Sequence, residues 1–266
     1  MTRVGFIGTG RIGGPMVARL AADGHDVRAL VRRAEKRSNV EALGAQAAST
    51  LAEVADSADT VIVCVFTDEQ VQHICLEGNL LPAMKPGSVL VIHTTGSPQT
   101  AEAVAARGDR YFIEVVDAPI SGGPHDVAAG QVTLFVGGGD EAVAQIGPVL
   151  SSYGDPVLHV GPTGAGQRVK LINNALFAAQ IGLVAEAIEL GGRLGIPESV
   201  LLQALPHGSG TSSALNMIAG AGSAATFINA VGDFIGKDVA VIRKTVAELG
   251  SDMGLLDDIV NSGLPS

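Results

Sequence analysis

The chain has 266 residues and a formal net charge of -10, with 47% hydrophobic residues, 35 glycines and only 3% aromatics. That length suits one large or two medium domains, at roughly 100–200 residues each. The acidic balance argues against a broad surface for nucleic acid or anionic membrane, and a core without Trp must be built from Ala, Val, Leu and Ile.

In chain order, Val4–Ile7 reads as a first strand and Gly14–Ala22 as a helix closed by Asp23-Gly24. Val27–Val31 is a second strand, and Ala34–Leu43 a helix with Gly44 as its C-cap. A short helix over Leu51–Ala55 leads to strands at Val61–Val65 and Val89–Ile92, the latter set up by the Lys85-Pro86-Gly87 turn. Strands at Tyr111–Asp117 and Val132–Val136 follow. Strand–helix alternation of this kind predicts a mostly parallel sheet with right-handed crossovers.

The pattern changes at Gly161-Pro162-Thr163-Gly164, after which no segment reads as a strand. Gln167–Leu194 reads as one long apolar helix, with Glu198–Leu205, Met217–Ala221 and Val239–Leu249 as further helices and Asn261–Ser266 as a frayed end. The expected division is an α/β domain over 1–161 and an all-α domain over 162–266, joined by the long helix. Two cysteines, Cys64 and Cys75, form no disulfide framework, which suits a reducing compartment. Met1 leads straight into a strand with no leader pattern, and no run of ~18 uncharged apolar residues suggests a membrane span. A cytoplasmic protein is expected.

Gly8-Thr9-Gly10-Arg11-Ile12-Gly13 has the G-x-G-x-x-G form, between a predicted strand and a predicted helix. The first glycine permits the turn, the second lets a pyrophosphate approach, and the third lets helix and strand pack. The helix start then favours the phosphates. This predicts a Rossmann dinucleotide site. An NAD-selective site usually ends its second strand in an acid, about 20 residues past the loop. Here the strand runs into Arg32 and Arg33, with Lys36 and Arg37 close behind. Guanidinium groups suit a 2′-phosphate, so NADP is expected, with NAD as the lesser possibility.

Three later features carry the chemistry. In Asp117-Ala118-Pro119-Ile120-Ser121-Gly122-Gly123-Pro124, the Ser121 hydroxyl and the N–H groups of Gly122 and Gly123 could hold a carboxylate. In Gly164–Asn174, Lys170 and Asn174 lie four residues apart, on one helix face. A lysine beginning an apolar helix is expected to be desolvated, which suits proton transfer. The third is Lys237-Asp238, ahead of the helix from Val239.

Together these motifs resemble the β-hydroxyacid dehydrogenase family, which includes 3-hydroxyisobutyrate dehydrogenases and is related to 6-phosphogluconate dehydrogenase. The likeness spans nearly the whole chain. Gly8–Met16 is similar to the family's cofactor loop, Asp117–Gly123 to its substrate motif, Gly164–Asn174 to its catalytic motif and Thr94–Pro98 to the loop on the nicotinamide side. The resemblance implies Lys170 as general acid/base, with Asn174 orienting the substrate or Lys170. It implies Ser121, Gly122 and Gly123 at the substrate carboxylate, and Lys237 in the pocket. Phe66, Thr67 and Thr95 would contact the cofactor alongside Gly8, Thr9, Gly10, Arg11, Ile12 and Gly13. It also implies a homodimer or homotetramer.

The chain departs from the family pattern at Ile92, where an acid is usual, followed by His93, and at Gly232-Asp233. The competing readings are an imine reductase-like enzyme on the same scaffold and a non-catalytic dinucleotide-binding module; the presence of Lys170 argues against both. His73, His93, His159 and His207 lack ligand-like spacing, so no metal is expected. Ser209–Ser213 has no evident base and reads as a helix-initiating loop.

Overall fold

A computed structural model describes residues 1–248 and 250–263. The chain separates into two compact units, Met1–Lys170 and Leu171–Ser266. The first unit alternates strands and helices: β1 (Arg3–Ile7), α1 (Gly13–Ala22), β2 (Asp26–Leu30), α2 (Arg37–Ala42), β3 (Gln46–Ala48), α3 (Leu51–Ala55) and β4 (Thr60–Val63). Then come α4 (Asp68–Gln72), α5 (Leu80–Ala83), β5 (Val89–Ile92), α6 (Pro98–Gly108), β6 (Glu114–Asp117), β7 (Ile120–Ser121), α7 (Pro124–Ala129), β8 (Val132–Gly137), α8 (Asp140–Leu150) and β9 (Gly154–Gly161).

The sheet order is β3-β2-β1-β4-β5-β6-β8-β7, with β9 paired to β8. Strands β1 to β6 are mutually parallel, and β8 runs antiparallel to β6 and β7. This is the doubly wound arrangement that the alternating pattern predicts. Strands β4 and β5 read as unbroken apolar runs because both faces are covered. Their side chains alternate between two core layers. Ile62, Val89, Val91 and Val116 enter one, with Phe6, Met16 and Leu20. Val61, Val63, Leu90 and Ile92 enter the other, with Ile7, Leu80 and Leu81.

The long helix α9 (Ala165–Arg193) begins in the first unit. The second unit continues it and adds α10 (Glu198–Ala204), α11 (Ser213–Ala221), α12 (Ala224–Glu248) and α13 (Leu255–Gly263). Its core gathers Ala178, Ile181, Ile218, Phe227, Val239 and Val260. A Cβ on Gly182 would lie 2.3 Å from the Ile259 carbonyl oxygen, so α9 and α13 touch there through backbone.

Several elements differ from the sequence reading. The strand expected over Tyr111–Asp117 starts only at Glu114, because Asp109–Tyr111 forms a 3-10 turn and Phe112 is left-handed, with φ 57°. Cys64 and Val65 lie beyond the end of β4. Strands β3, β7 and β9, helices α4 to α8 and helix α13 are not among the elements read from the sequence. Helix α11 starts earlier than Met217, where the Ser212 hydroxyl caps it by accepting from Leu215 N–H. The helix expected at Val239 is the second half of α12, and Leu249 lies outside the described residues. Asn261 is helical rather than frayed, and residues 264–266 lie outside the described residues. By length and hydropathy alone, α9 would be long and apolar enough to cross a membrane, contrary to the reading that no segment qualifies. A core helix meets the same test, and α9 places Ala178, Ala179 and Ile181 in the core of the second unit.

Cys75 is buried and Cys64 half-buried. Burial pushes both thiols up to about 12. At pH 8 the native protein should therefore react negligibly with an aromatic disulfide reagent, and the denatured chain should release two equivalents. A fast native equivalent would contradict this burial.

Candidate functional site

The site loops of the first unit share one edge because the strands carrying them are parallel. Cys64 N–H donates to Ile7 O, His93 N–H to Val63 O and Ala118 N–H to Ile92 O, at 2.8, 2.9 and 2.8 Å. The chain therefore leaves β1, β4, β5 and β6 on the same side of the sheet. In open α/β sheets that carboxyl edge, at the switch between β1 and β4, is where ligands bind.

The Gly8–Gly13 loop leaves β1 and opens α1. Gly8 has φ +109°, and a Cβ there would lie 2.1 Å from the Cys64 carbonyl oxygen. A Cβ on Gly13 would lie 2.0 Å from Gly8 O. Gly10 faces open space within 4 Å. No side chain caps the start of α1, and its first turn holds no acid. Two glycines that seal the loop, one that leaves room, and an uncapped helix start together fit a dinucleotide pyrophosphate. At the end of β2, Arg32 and Arg33 are exposed and residues 30–33 carry no carboxylate.

Phe66 is 59% exposed. Its N–H and that of Thr67 donate to Gln70 Oε1, and Thr67 caps α4. The Thr94 hydroxyl donates to Val65 O at 2.9 Å and accepts from Val65 N–H at 3.1 Å. Asp68 accepts from Ser97 N–H at 3.2 Å and from the Thr100 hydroxyl at 2.6 Å. The loops after β4 and β5 are thus latched together, with half-buried Thr95 between the latches.

Asp117, the last residue of β6, is fully buried. Its carboxylate accepts from Gly164 N–H at 2.6 Å and from Gln167 N–H at 2.7 Å, which ties the start of α9 to the sheet. The Gln167 side chain then reaches the β5 loop, donating to Thr94 O at 2.8 Å and accepting from Gly96 N–H at 3.0 Å. Lys170 follows one turn later and is 9% exposed. His93 is buried between Ala118 O, 2.6 Å from Nδ1, and the Tyr153 hydroxyl, 2.8 Å from Nε2. These contacts make Nδ1 the donor and Nε2 the acceptor of a neutral ring, and burial lowers its pKa to about 4.

Ser121 lies in β7, paired with Thr133, and Ser121 and Gly123 are half-buried while Gly122 is exposed. Gly123 N–H already donates to Asp126 Oδ2 at 2.6 Å. This departs from the open two-glycine nest expected from the sequence: an internal carboxylate takes one of its N–H groups.

In the second unit, Asn174 is 9% exposed and donates from Nδ2 to Asp238 Oδ2 at 2.7 Å. Its Oδ1 accepts from Asn173 Nδ2 at 3.1 Å. Lys237 Nζ lies 3.9 Å from Asp238 Oδ1. Asp238 thus contacts both residues singled out there. The Asp233 side chain lies outside the described residues.

Sequence reasoning placed Asp117, Gln167 and Asp238 inside its motifs but gave them no role, and it did not name Asp126. Asp117 ends an apolar strand and so had to be satisfied on burial, which is a usable signal. Gln167 and Asp126 carry none, because their partners are set by tertiary placement or by a turn of unknown conformation.

Burial raises the Asp117 carboxyl to about 6, although the N–H groups of Gly164 and Gln167 pull it down. A folded pKa above the unfolded 3.8 means that the proton is held more tightly in the native state. The group's stabilisation is therefore complete below about pH 4 and is lost as pH rises through about 6. Relative to Asp117→Asn, the native protein should lose about 2 kcal/mol of unfolding free energy from pH 4 to pH 7. His93 acts in the opposite sense over an overlapping range, so denaturant titrations of the pair are the readout, not the raw pH profile. A difference that grows with pH would contradict the assignment.

Comparison with known proteins agrees with this geometry. Residues 3–161 match the family of the NAD binding domain of 6-phosphogluconate dehydrogenase. Residues 164–260 match the family described as NAD-binding of NADP-dependent 3-hydroxyisobutyrate dehydrogenase. A 3-hydroxyisobutyrate dehydrogenase of Pseudomonas aeruginosa is 34% identical, over 82% of this chain and 73% of its own. A 2-(hydroxymethyl)glutarate dehydrogenase of Eubacterium barkeri is 34% identical, over 80% and 71%. Among solved structures, a Mycobacterium tuberculosis 3-hydroxyisobutyrate dehydrogenase described with L-serine superposes with TM-score 0.86 at 28% identity, covering 98% of this chain and 92% of that one. With a dinucleotide loop, a buried lysine and matches along nearly its whole length, the chain belongs to the β-hydroxyacid dehydrogenase family of NAD(P)-dependent oxidoreductases.

Proposed function

We propose that the chain interconverts a small 3-hydroxy acid and its semialdehyde, prefers NADP, and uses Lys170 as the general acid/base. The carrying observation is Lys170 itself: it is nearly buried, one turn into a helix whose start is bound to the ends of β5 and β6. The names of the two curated relatives share a hydroxymethyl group on the carbon beside a carboxylate, as does L-serine. A 3-hydroxypropionate bearing a 2-substituent is therefore the substrate class proposed here.

Gly8, Thr9, Gly10, Arg11, Ile12 and Gly13 would hold the pyrophosphate, and Arg32 and Arg33 the 2′-phosphate. Phe66, Thr67 and Thr95 would line the nicotinamide side. When bound, the nicotinamide supplies the hydride acceptor or donor. Lys170 takes the hydroxyl proton at Nζ in oxidation and returns it to the carbonyl oxygen in reduction. Ser121 and Gly122 receive the substrate carboxylate, while Gly123, held by Asp126, keeps the turn. Asn174 orients the substrate and Lys237 lines its pocket.

We assign residues 1–161 to cofactor binding and 162–266 to substrate binding and self-association, in a cytoplasmic homodimer or homotetramer. Exposed Ile172, Leu176, Leu183, Leu190 and Leu194 form an apolar stripe along α9 and its end, which supports self-association.

Lys170→Ala should lower kcat by about 10²–10⁴-fold and leave NADPH affinity nearly unchanged. Near-normal turnover would remove the lysine from the chemistry. Ser121→Ala should raise KM for the hydroxy acid more than it lowers kcat; an unchanged KM would count against the carboxylate role. A panel of 2-substituted 3-hydroxypropionates and their aldehydes, followed by nicotinamide absorbance, should give higher kcat/KM with NADP(H). Equal or better efficiency with NAD(H) would refute the role of Arg32 and Arg33.

A further inference from the structure

Gln167 occupies an unusual place in the first unit. It is 2% exposed, and both ends of its side-chain amide are used. Nε2–H donates to Thr94 O and Oε1 accepts from Gly96 N–H, at 2.8 and 3.0 Å. These partners are the peptide groups that flank Thr95. The opposite amide orientation would set oxygen against carbonyl and NH2 against N–H, so only one orientation fits.

The clamp is fixed at both ends. On the loop side, the Thr94 hydroxyl is locked to the Val65 peptide groups, and Gly96 packs so closely against Asp68 that a Cβ would lie 2.0 Å from Oδ1. On the helix side, Gln167 N–H is held by Asp117 at 2.7 Å. The residue thus reads the loop with its side chain and the sheet with its backbone. Lys170 lies three residues further along α9, on a neighbouring part of the same helix surface.

A helix that slips by one residue moves about 1.5 Å and turns by about 100°. Misplacement on that scale costs on the order of 10²-fold in rate. Asp117 bonds the start of α9 to the end of β6, whereas the Gln167 amide bonds it to the β5 loop itself. The Gln167 amide joins α9 directly to Thr94 O and Gly96 N–H, while Arg168 pairs with Glu102 of α6.

We infer that Gln167 is a positioning residue: its amide, clamped across Thr95, sets the register of α9 and so the place of Lys170 relative to the β5 loop. The inference rests on the reading of Lys170 as the acid/base.

Gln167→Glu is isosteric. It keeps an acceptor for Gly96 N–H but replaces the donor to Thr94 O with an oxygen. Gln167→Met keeps the volume and removes both bonds. In each variant kcat for the hydroxy acid should fall about 10–100-fold. The KM for the acid and the Kd for NADPH, read by nicotinamide fluorescence, should stay within about threefold. The loss should vanish in a Lys170→Ala background, because a residue that acts through Lys170 has nothing left to position.

Turnover within twofold of the parent would overturn the inference. So would a fall in kcat accompanied by an equal loss of NADPH affinity, or an undiminished loss in the Lys170→Ala background. If neither variant folds, Gln167 is structural and the inference fails. If Lys170→Ala itself keeps normal turnover, the lysine reading fails first, and that outcome is distinguishable from an inert Lys170→Ala beside fully active Gln167 variants.

Discussion

The buried carboxylate of Asp117 is the interaction on which the first unit's site depends. It ends β6 inside the protein, where an unsatisfied ionisable group would be costly. Its oxygens are met by the N–H groups of Gly164 and Gln167, which would otherwise be open donors at the start of α9. Strand end and helix start satisfy one another. The surroundings are cut to fit: a Cβ on Gly137 would lie 2.5 Å from Oδ1, and one on Gly166 2.8 Å from Oδ2. Backbone crowds the same two positions, with Phe135 O 2.4 Å from a Cβ on Gly166, so glycine there serves both the carboxylate and the close packing of the lysine-bearing turn on the sheet.

Around that anchor the parallel sheet does the remaining positioning. Because the strand ends lie on one edge, loops distant in sequence become neighbours, and short polar side chains join them. Thr94 reaches Val65, Asp68 reaches Ser97 and Thr100, and His93 reaches Ala118. The second unit has its own polar centre, in which Asp238 contacts both Asn174 and Lys237. An acid beside a lysine and an amide fixes both without adding net charge to a half-buried surface.

Much of this was legible in the sequence, where local physics leaves a local mark. The Gly8–Gly13 loop is legible because its glycine spacing sits between a strand and a helix, although the demand on Gly8 comes from Cys64 far along the chain and Gly10 is left with open space. Strands β4 and β5 are legible because burial on both faces writes an unbroken apolar run. Strand β9 was not legible: its burial pattern is mostly exposed or half-buried, and its pairing with β8 comes from the tertiary fold. Two-residue β7 is too short to show a period. Among site residues, Lys170 and Ser121 stood out by motif. Gln167 did not, because its partners lie 71 and 73 residues away and side-chain bonds to backbone at that separation leave no pattern. The Asp126 bond to Gly123 N–H was hidden for a different reason, since it needed the conformation of the turn.

The central claim is that this chain moves hydrogen between a hydroxyl-bearing carbon and a nicotinamide. The most direct measurement places deuterium on that carbon of a 2-substituted 3-hydroxypropionate and follows the label by NMR of the cofactor after turnover. The account predicts that the deuterium appears on one face of the reduced nicotinamide. Label that is recovered in water or retained in the acid, while the cofactor stays oxidised, would contradict it.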